Sequence, residues 1–158
     1  MRPVPSDAAL RCVAIDVFCA DHAAIDLDWL NAGHFADTAP NGLVFQNLGA
    51  AWQNFAAHGI DRLLIAHATV SASEIDEIRH AIPESTVVLA RLTADVAVMQ
   101  QRVRDRESGM WRDAYIARSA ELDRLLDAAR IEDITISNQD RSITEVARQL
   151  LVEAGWMT

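Results

Sequence analysis

The chain has 158 residues, 51% of them apolar, with 14 basic residues against 23 acidic ones and a net charge of −9. That suffices for one domain with a proper core, and it argues against a nucleic-acid surface, because no basic block is available to neutralise a phosphate backbone. The absence of any long apolar run, signal peptide, low-complexity tract or repeat points to a soluble cytoplasmic protein with no membrane partner. All 14 basic residues are arginine; the sequence contains no lysine.

Met1–Pro5 carries two prolines, and Ser6 is a plausible N-cap. Leu10, Val13, Ala14, Val17 and Phe18 share one helical face, so the spacing predicts a helix over Asp7–Ala20. The β-branched crowding at Cys12–Phe18 supports a strand as the rival. Cys12 and Cys19, seven apart on one helix, would lie about 10 Å apart, too far for a disulfide, and neither has a metal-spaced partner. No metal site is expected from protein ligands.

His22–Leu30 reads as a short buried strand running into Asp26 and Asp28. One residue apart, these carboxylates point the same way in an extended chain. Acidic groups where a parallel strand ends lie where open α/β sheets bind ligands, although helix-capping aspartates have the same pattern. Asn31–Leu43, with Gly33, Pro40 and Gly42, is loop-like. Phe45–His58 follows as a helix with Leu48, Trp52 and Phe55 on its apolar face, ended by Gly59. Arg62–His67 is a second buried strand; His67 at its end is either a site residue or, the commoner role, a hydrogen-bonded structural histidine.

Ser71 and Glu74 make a capping box for a helix to about Ala81. Thr86–Leu92 is an apolar strand, after which Thr93 can cap a helix with Asp95 in its first turn. That helix ends in Arg102, Arg104 and Arg106. Arg102 and Arg106 are four apart on one face, so their guanidiniums can converge on one anion, and arginine forks suit phosphate oxygens. Glu107–Asp113 is a short segment around Gly109. A helix to about Ala129 carries Ile116, Leu122, Leu125 and Leu126 in a core-like repeat. Its Arg118 either joins a phosphate cluster or pairs with a carboxylate nearby. Asp133–Ser137 is the last strand, and Ser142 with Glu145 caps a final helix ending at Gly155. Strands alternating with helices predict a parallel sheet covered on both faces, a three-layer α/β fold.

The segments IDLDWL (Ile25–Leu30), QRVRDRESG (Gln101–Gly109) and DRSITEVARQLLVEAGW (Asp140–Trp156), in this order, resemble P-loop kinases of the small-molecule type, such as shikimate, gluconate and adenylylsulfate kinases. The resemblance runs from about Ser6 to the C-terminus. It implies a single domain over residues 1–158 with a lid segment at about 107–113, and it implies ATP and Mg²⁺ as cofactors with a small-molecule phosphate acceptor. By this resemblance Asp28 contacts the acceptor, with Asp26 and Arg118 beside it. Arg102 and Arg106 contact nucleotide phosphates and act with Asp28 in catalysis, while Asn138, Asp140 and Arg141 form the adenine loop. Ser6 falls where the phosphate loop's Ser/Thr would be.

One departure is severe. The family uses G-x-x-x-x-G-K-[ST] to cradle the phosphates, and a chain without lysine has no such loop. The family's first strand is missing with it. That strand lies mid-sheet, between the strands read here as Arg62–His67 and Thr86–Leu92. Either the remaining strands close up, or the sequence is a shortened version of a longer chain; the second is the expectation. The implied function is an ATP-dependent phosphotransferase fold, catalytically impaired as this chain, with weak or absent ATP binding. The alternative is a non-catalytic binding or regulatory module keeping the kinase shape. A haloacid-dehalogenase-type phosphatase, suggested by the D-x-D of Asp26 and Asp28, lacks the expected lysine and later acidic pair.

Overall fold

Apolar runs only a few residues long are too short for independent helices and suit strands covered on both faces. In the computed structural model, which describes residues 20–31 and 42–158, four such runs form strands. These are β1 (Ala23–Asp26), β2 (Leu63–Ala66), β3 (Ala90–Thr93) and β4 (Ile134–Ser137). The helices among the described residues are α1 (Leu27–Leu30), α2 (Leu43–Ala56), α3 (Ala72–Ala81), α4 (Val96–Arg106), α5 (Arg112–Ala129) and α6 (Ile143–Glu153). The element expected over Asp7–Ala20, both cysteines, Ser6 and most of the Asn31–Leu43 loop lie outside the described residues.

β1 pairs with β2 and β3 with β4, both in parallel. The chain is thus mixed α/β with parallel strands, as expected. Among the described residues no ladder joins β2 to β3, so the strands form two two-stranded sheets. The chain divides into two compact units: one takes in the described residues up to His67 together with Ala72–Val87, the other Ala68–Ser71 together with Val88–Thr158.

In the first unit Ile25 lies opposite Ile65, and the ladder begins with the Ala23 amide donating to the Arg62 carbonyl at 2.9 Å. β1 stops at Asp26 because that residue becomes the N-cap of α1, its Oδ1 accepting from the Asp28 amide at 3.1 Å. The extended spacing that would aim Asp26 and Asp28 the same way is therefore broken at Leu27, correcting the sequence reading. Leu27 and Leu48 are the most deeply buried side chains of this unit. Asn47 Nδ2 donates to the Leu30 carbonyl at 2.7 Å and ties α2 to the end of α1. α2 starts after Gly42, whose φ of +74° favours glycine, and it runs two residues earlier at each end than expected. α3 begins right after Ser71 and buries Ile75 and Ile78.

In the second unit β3 forms later than the Thr86–Leu92 expected. β4 offers a partner only from Ile134 onward, and the Asp133 carboxylate takes the Leu89 amide at 2.8 Å, which ends the ladder there. Thr93 is then the last strand residue rather than a cap. Asp95 takes the N-cap position of α4, with Gln139 accepting from its amide at 2.9 Å and donating to its carboxylate at 3.0 Å. Residues 107–111 separate α4 from α5.

α5 departs most from the apolar repeat read in it. None of its residues is fully buried, and Leu125 is 41% exposed. α5 packs on α4, and Arg91, mid-strand in β3, adds an ionic tie: its guanidinium meets Asp123 at 2.9 Å and Asp127 at 2.8 Å, with Glu132 at 3.6 Å. α6 follows the sequence reading closely. Val146, Ala147, Leu150 and Leu151 are buried, and α6 packs on β4, whose Ile136 is fully buried. Its capping box is complete, the Glu145 amide donating to Ser142 Oγ at 3.3 Å and the Ser142 amide to Glu145 Oε2 at 2.8 Å.

Candidate functional site

The site residues named from sequence fall into two clusters, one in each unit. The first gathers at the carboxyl ends of β1 and β2. Register places Asp26 beside Ala66, so the next residues, at the start of α1 and after β2, carry the first groups beyond the sheet. Asp26 is 7% exposed and committed to the α1 cap. The side chain of Asp28 is 75% exposed, as suits a group that meets a ligand. Behind it stands His67, with Nδ1 3.6 Å from Asp28 Oδ1 and Nε2 3.6 Å from Glu74 Oε1 at the start of α3. A phosphatase nucleophile must be approachable along its oxygen lone pairs, and the burial of Asp26 leaves that reading without one.

The second cluster lies around the loop after β4. Arg102 donates through one guanidinium nitrogen to Asn138 Oδ1 and through the other to the Asn138 carbonyl, both at 2.9 Å. Arg106 is bound through Nε to Glu107 at 2.9 Å. The two arginines, one turn apart on α4, are thus held by different partners. Arg141 donates to the Ser137 carbonyl at 3.2 Å and to Gln149 of α6, which folds the loop back onto the last helix. Asp140, with φ +53°, supplies the left-handed turn in this loop, a conformation that aspartate tolerates better than most residues. Arg118 pairs with Glu121 at 3.0 Å, the carboxylate role of the two read for it. Ser6 lies outside the described residues.

Electrostatics mark two charges that belong to the fold. Burial by itself would lower the pKa of Arg91, but its hydrogen bond to Asp127, the Asp127 charge and then Asp123 outweigh that and hold it above its ordinary value. Glu145 is pulled below the usual carboxylate range, first by the Ser142 hydroxyl, then by the Ser142 amide. Both are fold-making charges.

Mg-ATP requires oxygen ligands for the metal and a nest of backbone N–H groups with a lysine for the triphosphate. Among the described residues no group of three or more His, Cys, Asp or Glu side chains is placed to hold a metal ion. The sequence has no lysine, and Arg102 and Arg106 already have partners. Among the described residues the triphosphate end of Mg-ATP therefore meets neither a lysine nor a ready-made group of metal ligands.

From sequence His67 is either a site residue or, more commonly, a structural histidine, and Glu74 is only part of a capping box. Nothing in the spacing of His67 and Glu74, seven apart across a turn, brings them together. Arg91 did carry a signal, a lone charge inside VVLARLT, since a charge in a buried strand must be paired. No helix among the described residues is long and apolar enough to cross a membrane. Compared with known proteins, the chain matches no family model, no curated protein and no solved structure.

Proposed function

We propose that the chain is a P-loop kinase-like domain of the small-molecule phosphotransferase type that carries the acceptor and adenine ends of the site but not the triphosphate cradle. As written it is a poor phosphotransferase. The three-layer sheet of that family has the strand order in which β1 and β2 flank one side of a central strand and β3 and β4 the other. The observation that supports the reading is the pairing itself: β1 with β2 and β3 with β4, both parallel, with no ladder from β2 to β3 among the described residues. Parallel pairs are rarely stable alone, so two of them side by side in the sequence fit a larger parallel design.

In this reading Asp28, exposed beyond β1, accepts a hydrogen bond from the acceptor hydroxyl and orients it. Arg102 holds the Asn138–Arg141 loop in place for the base of a nucleotide, and Arg106 borders the same helix end. A second reading, a non-catalytic binding module on the same scaffold, is favoured by the internal commitment of Arg102 and Arg106. Arginines already satisfied within the protein contribute little to a transferring phosphoryl group.

The test is a paired titration of adenosine and Mg-ATP, followed by amide NMR shifts and calorimetry. Without a triphosphate cradle, both should move the amides of Asn138–Arg141 with similar dissociation constants on the order of 1 mM, about −4 kcal/mol. Mg-ATP binding more than about tenfold tighter than adenosine would show that a cradle exists. No shift at Asn138–Arg141 with either ligand would remove the nucleotide reading.

A further inference from the structure

His67 stands one residue past β2, and its ring lies between carboxylates from two different helices. Nδ1 is 3.6 Å from Asp28 Oδ1 on α1, and Nε2 is 3.6 Å from Glu74 Oε1 on α3. Nδ1 is buried without a hydrogen-bond partner, although the imidazole as a whole is 23% exposed. Asp26 of β1, also at this end of the sheet, accepts from the Asp28 amide. On α3, Asp76 is paired with Arg79.

The donor inventory makes this bracket sensitive to a single proton. An ionised carboxylate only accepts. A neutral imidazole has one N–H donor and one lone pair, so between two carboxylates it satisfies one and turns a lone pair toward the other. The imidazolium donates on both sides. Both gaps are also roughly 0.7–0.9 Å longer than a charge-assisted N–H···O bond, so the ring has room to close on either partner.

We propose that His67 is a proton-linked positioning residue for Asp28. Protonated, it closes on Asp28 and Glu74 together and occupies Asp28 Oδ1. Neutral, it keeps its N–H on Nε2 toward Glu74, and Asp28 Oδ1 becomes available to a hydroxyl-bearing small molecule. The geometry is independent of any nucleotide; its use rests on the proposed role of Asp28 toward an acceptor hydroxyl. Glu74 acts through His67 and touches no ligand in this scheme.

The experiment needs no ligand, so its failure is distinguishable from failure of the nucleotide titration. The ring ¹⁵N resonances of His67 and the carboxyl ¹³C resonance of Asp28 are followed from about pH 5 to about pH 8, the range in which histidine changes charge. The Asp28 resonance should show an inflection that coincides with the His67 ring transition, as coupled sites do. His67→Gln, which keeps an amide donor of similar reach, should abolish that inflection while the backbone amide spectrum stays native. If His67→Gln fails to fold, the wild-type titration decides alone. A ring transition with no coincident change at Asp28, or an inflection that survives in His67→Gln, overturns the proposal.

Discussion

Arg91 holds together one charged cluster of the second unit. Its side chain is 9% exposed and faces Asp123, Asp127 and Glu132, so removing it strands three carboxylates around one site. Breaking a buried pair from one side costs about 3–5 kcal/mol. Asp127 is itself well exposed and can turn to water, which places Arg91→Met nearer 2–3 kcal/mol on the same scale. Urea unfolding should show that loss, and a loss under about 0.5 kcal/mol would mean that α5 is held by other contacts. Glu145 offers a second check at this scale, because its carboxyl binds a proton less readily in the folded chain than in the unfolded one. The unfolded state then carries more protons in the acid range, so stability rises with pH there. The contribution is complete above the ordinary glutamate value of 4.5 and is lost as pH falls through the lowered folded value. Glu145→Gln should flatten that part of the acid limb in a stability-versus-pH series; an unchanged limb would contradict the capping-box assignment.

At the scale of elements, the sequence announced those whose signals were local. Ser142 and Glu145 three apart, ahead of an apolar stripe, describe α6 fully, and both cap bonds form. Thr86–Leu92 was misplaced because strand limits depend on the partner: β4 begins at Ile134, forty residues on, and Asp133 closes the ladder at Leu89. The apolar repeat in α5 misled for a similar reason. Periodicity reports a face, but what covers that face is a tertiary matter, and here an ion cluster on β3 takes part of the role. Asp28 was legible as a group at a strand end, whereas the turn into α1 that separates it from Asp26 was not.

The crossing of α2 and α3 gives a prediction of its own. A Cβ on Gly49 would come 3.2 Å from the Ala81 carbonyl oxygen, at the last residue of α3. Alanine gains about 1 kcal/mol of helix propensity over glycine, and the crowding needs only a few tenths of an ångström of give at a helix end. Gly49→Ala should therefore be close to neutral. Gly49→Val adds two methyl groups against the same backbone and loses stability by about 2 kcal/mol. Thermal melts of the two variants separate the terms, and equal destabilisation by both would show that the α3 end cannot move.

Across the whole molecule there are two parallel strand pairs, and among the described residues neither β2 nor β3 has a second strand beside it. In a parallel ladder alternate residues donate to the partner and the others face away. The observed bonds set the phase: Ala23 donates to Arg62, and Ile134 and Asn138 donate to Leu89 and Thr93. On that phase the amides of Leu64 and Ala66 in β2, and of Arg91 and Thr93 in β3, are tied to the partner strand. Those of Leu63, Ile65, Ala90 and Leu92 point to the open side. Residue-resolved amide hydrogen exchange reads this alternation directly. Slow exchange is expected at Leu64, Ala66, Arg91 and Thr93 and fast exchange at the four residues between and beside them; uniformly slow exchange at Leu63, Ile65, Ala90 and Leu92 would contradict this, because β2 and β3 would then each carry a second strand.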